Sequence, residues 1–178
     1  MLGSIIAPSN GAVVSTKKPL DALIEAAENG DAESQFRLGV KYDSSFDNIE
    51  QNDTEAFEWY FKAAQAGLAK AQNNLGTMYY KKENYTEAAK WYQKAADQGE
   101  AISQRNIGFM FEKGRGVDRV DIATAKSYYE KAAAKNFSGA QFRLGMLYEY
   151  GKGVAKDLDK AVEYYLAAAN KGDVLVKF

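Results

Sequence analysis

Residues 140–172 read AQFRLGMLYEYGKGVAKDLDKAVEYYLAAANKG, and the pattern of this stretch occurs four times in the chain. Its first part aligns with three earlier tracts, and each tract has a Gln followed four residues later by a Gly. The four pairs are Gln35 and Gly39, Gln72 and Gly76, Gln104 and Gly108, and Gln141 and Gly145. The glycines are 37, 32 and 37 residues apart. A period of this length is typical of solenoid proteins, in which one supersecondary unit is stacked repeatedly.

A second tract completes each unit; the four copies begin at Ala56, Ala88, Ala125 and Ala161. Small and aromatic residues recur in it at steps of three and four, which predicts a helix with one packing face. The predicted N-caps of these helices are Asp53, Asn84, Asp121 and Asp157. Each unit is therefore predicted to be a helix, a turn and a second helix. Because two helices alone cannot bury both of their apolar faces, neighbouring units must stack.

The repeat divides the whole chain. Residues 1–18 are predicted to be an irregular N-terminal segment, and residues 19–30 match the second helix of a unit and form a predicted cap helix. Four repeats follow, at residues 31–67, 68–99, 100–136 and 137–172. The last six residues, 173–178, resemble the beginning of a further repeat, because Phe178 aligns with Phe36 and Phe142.

The composition excludes several classes of function. The chain has 178 residues, a formal net charge of −1, no Cys and no His. The common zinc, haem and iron–sulfur ligand sets, and catalytic Ser-His or Cys-His couples, therefore cannot be built from it, and we expect no metal or cofactor. A pI of about 5.7 gives no basic footprint for nucleic acid. No apolar run suggests membrane insertion. With no signal peptide visible, the cytoplasm and a bacterial periplasm both stay open, as does the oligomeric state.

The fourth unit resembles the Sel-1-like repeat family, a relative of the tetratricopeptide repeats. The residues that carry the resemblance are Gly151, Gly153, Val154, Asp157, Lys160 and Ala161. Unit three keeps the Gly-x-Gly-Val turn, whereas unit one has SSFDNIEQND and unit two has KKENY in its place. The resemblance implies an all-α fold, a right-handed α-solenoid of helix-turn-helix repeats. It also implies a role in holding proteins or peptides.

Three recurring features are predicted to be structural. The glycine-rich turns lack the Ser or Thr and the preceding strand of a phosphate loop, so we interpret them as turns. The aromatic pairs, such as Trp59-Tyr60 and Trp91-Tyr92, recur at one place in every unit and are predicted to fill the core. The small residues Ala63, Ala95, Ala132 and Ala168 are predicted to lie where helices approach closely.

The candidate binding residues vary while the framework around them repeats. In tetratricopeptide-like arrays the first helices line the concave surface, and the residues two before and two after the Leu or Ile anchor point into it. These residues are Phe36, Asn73, Arg105 and Phe142, then Val40, Thr77, Phe109 and Met146. Phe36 and Phe142 could instead pack against neighbouring helices. Asp43, Glu112 and Glu149 share a position late in the first helices, occupied by Tyr80 in unit two, and we expect a solvated face there.

These observations predict a non-catalytic scaffold or adaptor that binds a protein or peptide through its concave face. Its candidate contact residues are Phe36, Val40, Asn73, Thr77, Tyr80, Arg105, Phe109, Glu112, Phe142, Met146 and Glu149. A bacterial adaptor, or an immunity protein that neutralises a secreted effector, would be a specific form of this function. The alternative is a small hydrolase or ligand-binding enzyme that uses carboxylates or a Ser-Lys pair in the groove.

Overall fold

A computed structural model of the protein describes residues 19–44 and 49–170. Within these ranges the chain forms helices and no strands: α1 (Pro19–Glu28), α2 (Ala32–Ser44), α3 (Asp53–Gln65), α4 (Ala69–Lys81), α5 (Tyr85–Asp97), α6 (Ala101–Lys113), α7 (Ile122–Ala134), α8 (Ser138–Tyr150) and α9 (Leu158–Ala169). The predicted all-α fold is confirmed. Three features of the sequence lie outside the described residues. They are the predicted N-terminal segment 1–18, Phe46 in the SSFDNIEQND turn, and the predicted start of a further repeat at 173–178.

The helices stack in chain order. After α1, the first helices of the repeats are α2, α4, α6 and α8, called here the A helices, and the second helices are α3, α5, α7 and α9, called the B helices. Each A helix packs on the B helix of its own repeat and on the helix that precedes it in the chain. Every extensive helix–helix contact in the described residues joins two consecutive helices. Such stacking of near neighbours is what defines a solenoid.

The repeated glycine brings the two helices of each repeat close together. A Cβ placed on these glycines would lie 2.5 to 2.8 Å from the ring of the second aromatic residue on the B helix. The four pairs are Gly39 with Tyr60, Gly76 with Tyr92, Gly108 with Tyr129, and Gly145 with Tyr165. Three of these tyrosines are buried, and Tyr165, in the last helix, is half-buried. The prediction that the aromatic pairs fill the core is confirmed for these three tyrosines and for Trp91, whereas the other first members of the pairs, Trp59, Tyr128 and Tyr164, are half-buried.

In the first three repeats, the repeated glutamine joins the repeat to the helix before it. The side-chain Nε2 of Gln35 donates a hydrogen bond to the carbonyl of Ala27, over 3.0 Å. Gln72 and Gln104 donate in the same way to the carbonyls of Ala64 and Ala96, over 3.1 and 3.3 Å. These carbonyls lie in the last turn of a helix, and each also accepts a hydrogen bond from the backbone N–H three residues later. The glutamine side chain thus binds the C-terminal turn of the preceding helix.

The predicted caps are confirmed at three of the four helix starts. The side chains of Asn84, Asp121 and Asp157 each accept a hydrogen bond from the backbone N–H three residues later. The prediction of Asp53 is wrong, because Asn52 caps α3 and accepts from the N–H groups of Thr54 and Glu55. The backbone is extended at Asn52, so the helix begins one residue earlier than predicted.

The small alanines and the glycine-rich turns both serve packing. The four alanines predicted at close helix contacts, Ala63, Ala95, Ala132 and Ala168, have no solvent exposure. Gly116, in the turn of repeat three, lies on the backbone of Tyr85, and a Cβ there would come within 1.9 Å of the Tyr85 carbonyl oxygen. Gly116 also has a φ of +67°, which favours glycine. The turn therefore docks one repeat onto the previous one.

Candidate functional site

The predicted binding residues all lie on the A helices. We call the surface that they form the A-helix face; α2 carries Phe36 and Val40, α4 carries Asn73, Thr77 and Tyr80, α6 carries Arg105, Phe109 and Glu112, and α8 carries Phe142, Met146 and Glu149. Ten of these eleven residues are half-buried, and Asn73 is buried. Half-buried side chains are the ones that can both hold their position and touch a partner.

A groove of about 350 Å³ lies on this face, between α4 and α6. We call it the Arg105 groove, and it is lined by Thr77, Tyr80, Tyr92, Arg105, Asn106, Phe109 and Met110. Four of these seven residues were predicted from the sequence, and Tyr92, Asn106 and Met110 were not. The groove combines three aromatic rings, one cation and several polar atoms.

Tyr92 reaches the groove from a B helix. Its ring packs on Gly76, and its hydroxyl forms a 3.0 Å hydrogen bond with the Thr77 hydroxyl. Burial raises the pKa of Tyr92, so the phenol stays neutral. The repeated pairing of a glycine with a tyrosine is the sequence signal that could have predicted this residue, since a missing Cβ on the A helix leaves room for a ring from behind.

Arg105 is the charged group of the groove. Its Nη1 donates a 2.9 Å hydrogen bond to the Asn106 side-chain oxygen, and its Nε–H is buried with no hydrogen-bond partner among the described residues. Burial and the nearby positive charge of Arg143 lower the pKa of Arg105 from its ordinary value. An arginine nevertheless remains protonated in proteins. The groove therefore holds a positive charge that is incompletely hydrogen-bonded.

Asn73 joins two A helices. Its side-chain oxygen accepts hydrogen bonds from the Ser103 hydroxyl and from the Asn106 amide, both over 3.0 Å. Its own amide lies 3.3 Å from the side-chain oxygen of Asn74. Asn73 is only 8% exposed. The polar atoms of Asn73 are thus used within the solenoid, where they join α4 to α6.

The carboxylates of the A-helix face are bound by tyrosines from the B helices. The hydroxyls of Tyr60, Tyr129 and Tyr165 donate to Asp43, Glu112 and Glu149, over 3.3, 2.7 and 2.5 Å respectively. Burial, together with the neighbouring carboxylate, raises the pKa of Tyr129 and of Tyr165 above the ordinary value. The tyrosine that packs on the repeated glycine thus has a second role, as a hydrogen-bond donor to the A helix.

Glu112 departs from the prediction of a solvated face. Its side chain is only 7% exposed, and it lies 3.0 Å from Lys113 and 3.8 Å from Arg143. Burial raises its pKa, but the hydrogen bond from Tyr129 and the two cations outweigh that effect and hold the pKa below the ordinary value. The solvated interpretation is wrong for Glu112, because a buried tyrosine on the facing B helix draws its carboxylate inward. Glu112 is therefore ionised at neutral pH and suits a structural anion rather than a general acid.

A second groove lies on α2. Its volume is about 340 Å³, and it is lined by Phe36, Arg37, Val40, Lys41 and Ser44. The ring of Phe36 also packs 5.9 Å from the ring of Tyr60, and that of Phe142 lies 5.4 Å from Tyr165. Both phenylalanines therefore contribute to packing and remain partly exposed. Phe142, Met146 and Glu149 line neither of these two grooves.

Residues 19–44 and 49–170 contain no cluster of three or more acidic side chains that could hold a metal ion. Among the helices in these ranges, none has both the length and the apolar character needed to cross a membrane.

Comparison with known protein families shows which family the chain is related to. The family model described as the Sel1 repeat matches residues 32–68, 69–100, 101–137 and 138–173. The chain belongs to the Sel1 repeat family. Each match begins at the first residue of an A helix and continues through the following B helix. Sel1 repeats form scaffolds that mediate protein interactions and are in general not catalytic. A search of curated proteins gave no match.

Solved structures of bacterial Sel1 repeat proteins have the same fold. One is c5321, a protective antigen of uropathogenic Escherichia coli, with 36% identity and a TM-score of 0.80 over 88% of this chain and 34% of that one. Another is a Sel1 repeat protein from Oxalobacter formigenes, with 34% identity and a TM-score of 0.82 over 86% of this chain and 62% of that one. The chain thus spans about a third of the first and three fifths of the second. These structures confirm the predicted solenoid.

A more distant structure shares only the fold. The immunity protein Pa5087 from Pseudomonas aeruginosa is 18% identical and has a TM-score of 0.61, over 86% of this chain and 57% of that protein.

Proposed function

We propose that this Sel1 repeat protein is a non-catalytic scaffold that binds a segment of another protein along its A-helix face, with the Arg105 groove as the main contact. The composition of the groove carries this proposal. Arginine and aromatic residues supply most of the binding energy in protein interfaces when they lie in partly enclosed pockets. Here Arg105, Phe109 and Tyr80 surround one groove.

The groove is also prepared for binding. Thr77, Tyr92 and Asn106 are held by hydrogen bonds to other residues of the solenoid. Phe109 lies near the ring of Tyr80, at 6.4 Å, and under the guanidinium of Arg143, at 4.8 Å. Side chains that are fixed before binding lose little conformational entropy when a partner docks. Binding at this groove would therefore require little rearrangement of the protein.

The finer form of the proposal is a bacterial adaptor, or an immunity protein that neutralises a secreted effector. Its support is the shared fold with the Pseudomonas aeruginosa immunity protein and the bacterial origin of the more similar Sel1 structures. A scaffold that occupies a surface of its partner could block that partner without any chemistry of its own.

The hydrolase alternative has less support. A general acid and base need environments that shift their pKa values apart. Glu112, whose side chain is largely buried, has a lowered pKa and is bound by Tyr129 and two cations. This environment favours a fixed anion, and the groove itself contains no carboxylate.

The test begins with affinity capture of a partner by the full chain. Arg105→Ala and Phe109→Ala, made singly, should each weaken binding of that partner by about 1–3 kcal/mol, measured by calorimetry. Lys94→Ala and Val162→Ala, which alter exposed side chains on B helices, are matched controls and should leave the affinity unchanged. Thermal melts check that each variant is folded. Equal affinity of both groove variants and the parent would contradict the proposal.

A further inference from the structure

One position on the A helices holds a carboxylate in three repeats and a tyrosine in the remaining one. It is occupied by Asp43, Glu112 and Glu149 in repeats one, three and four, and each carboxylate accepts a hydrogen bond from the tyrosine of its own B helix. Repeat two has Tyr80 there, and the equivalent B-helix tyrosine, Tyr92, pairs with the Thr77 hydroxyl instead. Repeat two therefore lacks the negative charge that the other three repeats place on this face.

The missing carboxylate leaves Arg105 without a direct ion pair. Arg143, the other half-buried arginine of this face, lies 3.8 Å from Glu112. Glu112 acts on Arg105 only from a longer distance, since no carboxylate among the described residues lies within ion-pair distance of Arg105. The one hydrogen bond of Arg105 goes to the neutral amide of Asn106. A half-buried cation without a direct ion pair bears a desolvation cost that an incoming anion can offset.

We infer that the Arg105 groove binds an acidic side chain, Asp or Glu, of the partner, next to an apolar or aromatic residue that packs on Phe109 and Tyr80. This inference rests on the proposed function and specifies the chemistry of its ligand. The partner carboxylate occupies the charge position that Tyr80 leaves empty in repeat two. A partner side chain packed on the aromatic walls would shield the guanidinium–carboxylate pair from water, which strengthens such a pair.

The hydrogen bonds around the groove favour a side-chain carboxylate over a chain terminus. Enclosing a terminal carboxylate requires several free donors that converge on it. The amides of Asn73 and Asn106 already donate to Asn74 and Asn73, respectively. Arg105 thus remains as the principal donor, and a planar guanidinium is suited to two parallel bonds with one carboxylate.

The test uses peptides as probes of the full chain. A phage-displayed library of random 12-residue peptides is selected on the protein, and the enriched peptides are synthesised with acetylated N-termini and amidated C-termini. We expect enrichment of an acidic residue beside an apolar or aromatic one. Binding is then measured by fluorescence anisotropy in a double-mutant cycle, with Arg105→Gln in the protein and Glu→Gln in the peptide.

Each single change should weaken binding about 10- to 100-fold, the range for hydrogen bonds to charged groups. The second change should add little once the first has been made, because both remove the same pair. Lys94→Gln is the matched control: it removes one positive charge from an exposed site on α5 and should leave the affinity and the cycle unchanged. The peptide arm requires no change in the protein, so it stays informative even if Arg105→Gln unfolds.

Three results would overturn the inference. The library could yield only peptides without an acidic residue, or none that bind. The two changes could be additive, which would place the carboxylate away from Arg105. A free C-terminus could restore the affinity of a Glu→Gln peptide, which would identify a terminal carboxylate as the ligand. Suppose that Phe109→Ala abolishes peptide binding, but that the double-mutant cycle shows no coupling between Arg105 and the peptide Glu. The inference then fails, and the proposed function stands. If no groove variant changes binding, both fail.

Discussion

The close approach of the A and B helices gives the sharpest test of the fold. In repeat three, a Cβ added to Gly108 would lie 2.8 Å from Cε1 of Tyr129 and 3.1 Å from the backbone carbonyl oxygen of Ala125. Tyr129 is fully buried, and its hydroxyl is held by Glu112. Neither the ring nor the backbone can move away freely. Gly108→Ala should therefore strain the contact between α6 and α7.

The size of the effect follows from two opposing terms. Overpacking of a well-packed core costs about 1–3 kcal/mol. The better helix propensity of alanine offsets about 0.8–1.0 kcal/mol of that cost. Gly139→Ala supplies the matched control, since Gly139 also lies in an A helix, but a Cβ there meets only the half-buried side chain of Phe137, at 3.0 Å. That substitution should be neutral or stabilising by up to about 1 kcal/mol.

The difference between the two variants reports mainly the steric term, because both exchange a glycine for alanine within an A helix. The propensity gain is smaller at Gly139, which is the second residue of α8. We expect Gly108→Ala to be less stable than Gly139→Ala by about 1–3 kcal/mol. Urea denaturation followed by circular dichroism measures both free energies of unfolding, provided that the slopes agree. Equal stability of the two variants would refute the argument that the repeated glycine exists to admit the tyrosine ring.

Two further predictions concern packing and charge. Ala95 has no solvent exposure, so Ala95→Leu should lower the free energy of unfolding by about 1–3 kcal/mol. Hydrogen exchange should then rise more in α4, α5 and α6 than in α8 and α9. An even rise over all repeats would contradict this and indicate one cooperative block. Because the pKa of Glu112 is lowered in the folded state, its contribution to stability is present above 4.5, the ordinary value, and is lost as the pH falls through the folded pKa. The advantage of the parent over Glu112→Gln in thermal melts should thus be larger at pH 7 than at pH 3, and an advantage independent of pH would refute this assignment.

The sequence predicted those features that repeat. Helix period, caps such as Asp121 and small contact residues such as Ala95 depend on local chemistry and on spacing within one unit, and the structure confirms them. The boundary at Asn52 was missed because two adjacent side chains can both act as caps, and the backbone N–H of Asn52 is held by the carbonyl of Tyr42 on α2, a contact that local sequence does not show.

The candidate site was only partly predictable. Position relative to the Leu or Ile anchor led to Thr77, Arg105 and Phe109, which do line one groove. Contacts between repeats were not accessible in this way. The bond between Asn73 and Asn106 joins residues 33 positions apart, and its existence depends on how two repeats are oriented. Glu112 was interpreted as solvated because its tyrosine partner lies 17 residues away, on the other helix of its own repeat.

The crystal structure of the full chain with its captured protein partner tests the central claim most directly. The proposed binding mode predicts that a segment of the partner lies on the A helices, in contact with Phe109 and with a carboxylate oxygen at hydrogen-bond distance from the Arg105 guanidinium. A partner that contacts only the B helices α3, α5, α7 and α9, and leaves the Arg105 groove open to solvent, would contradict it.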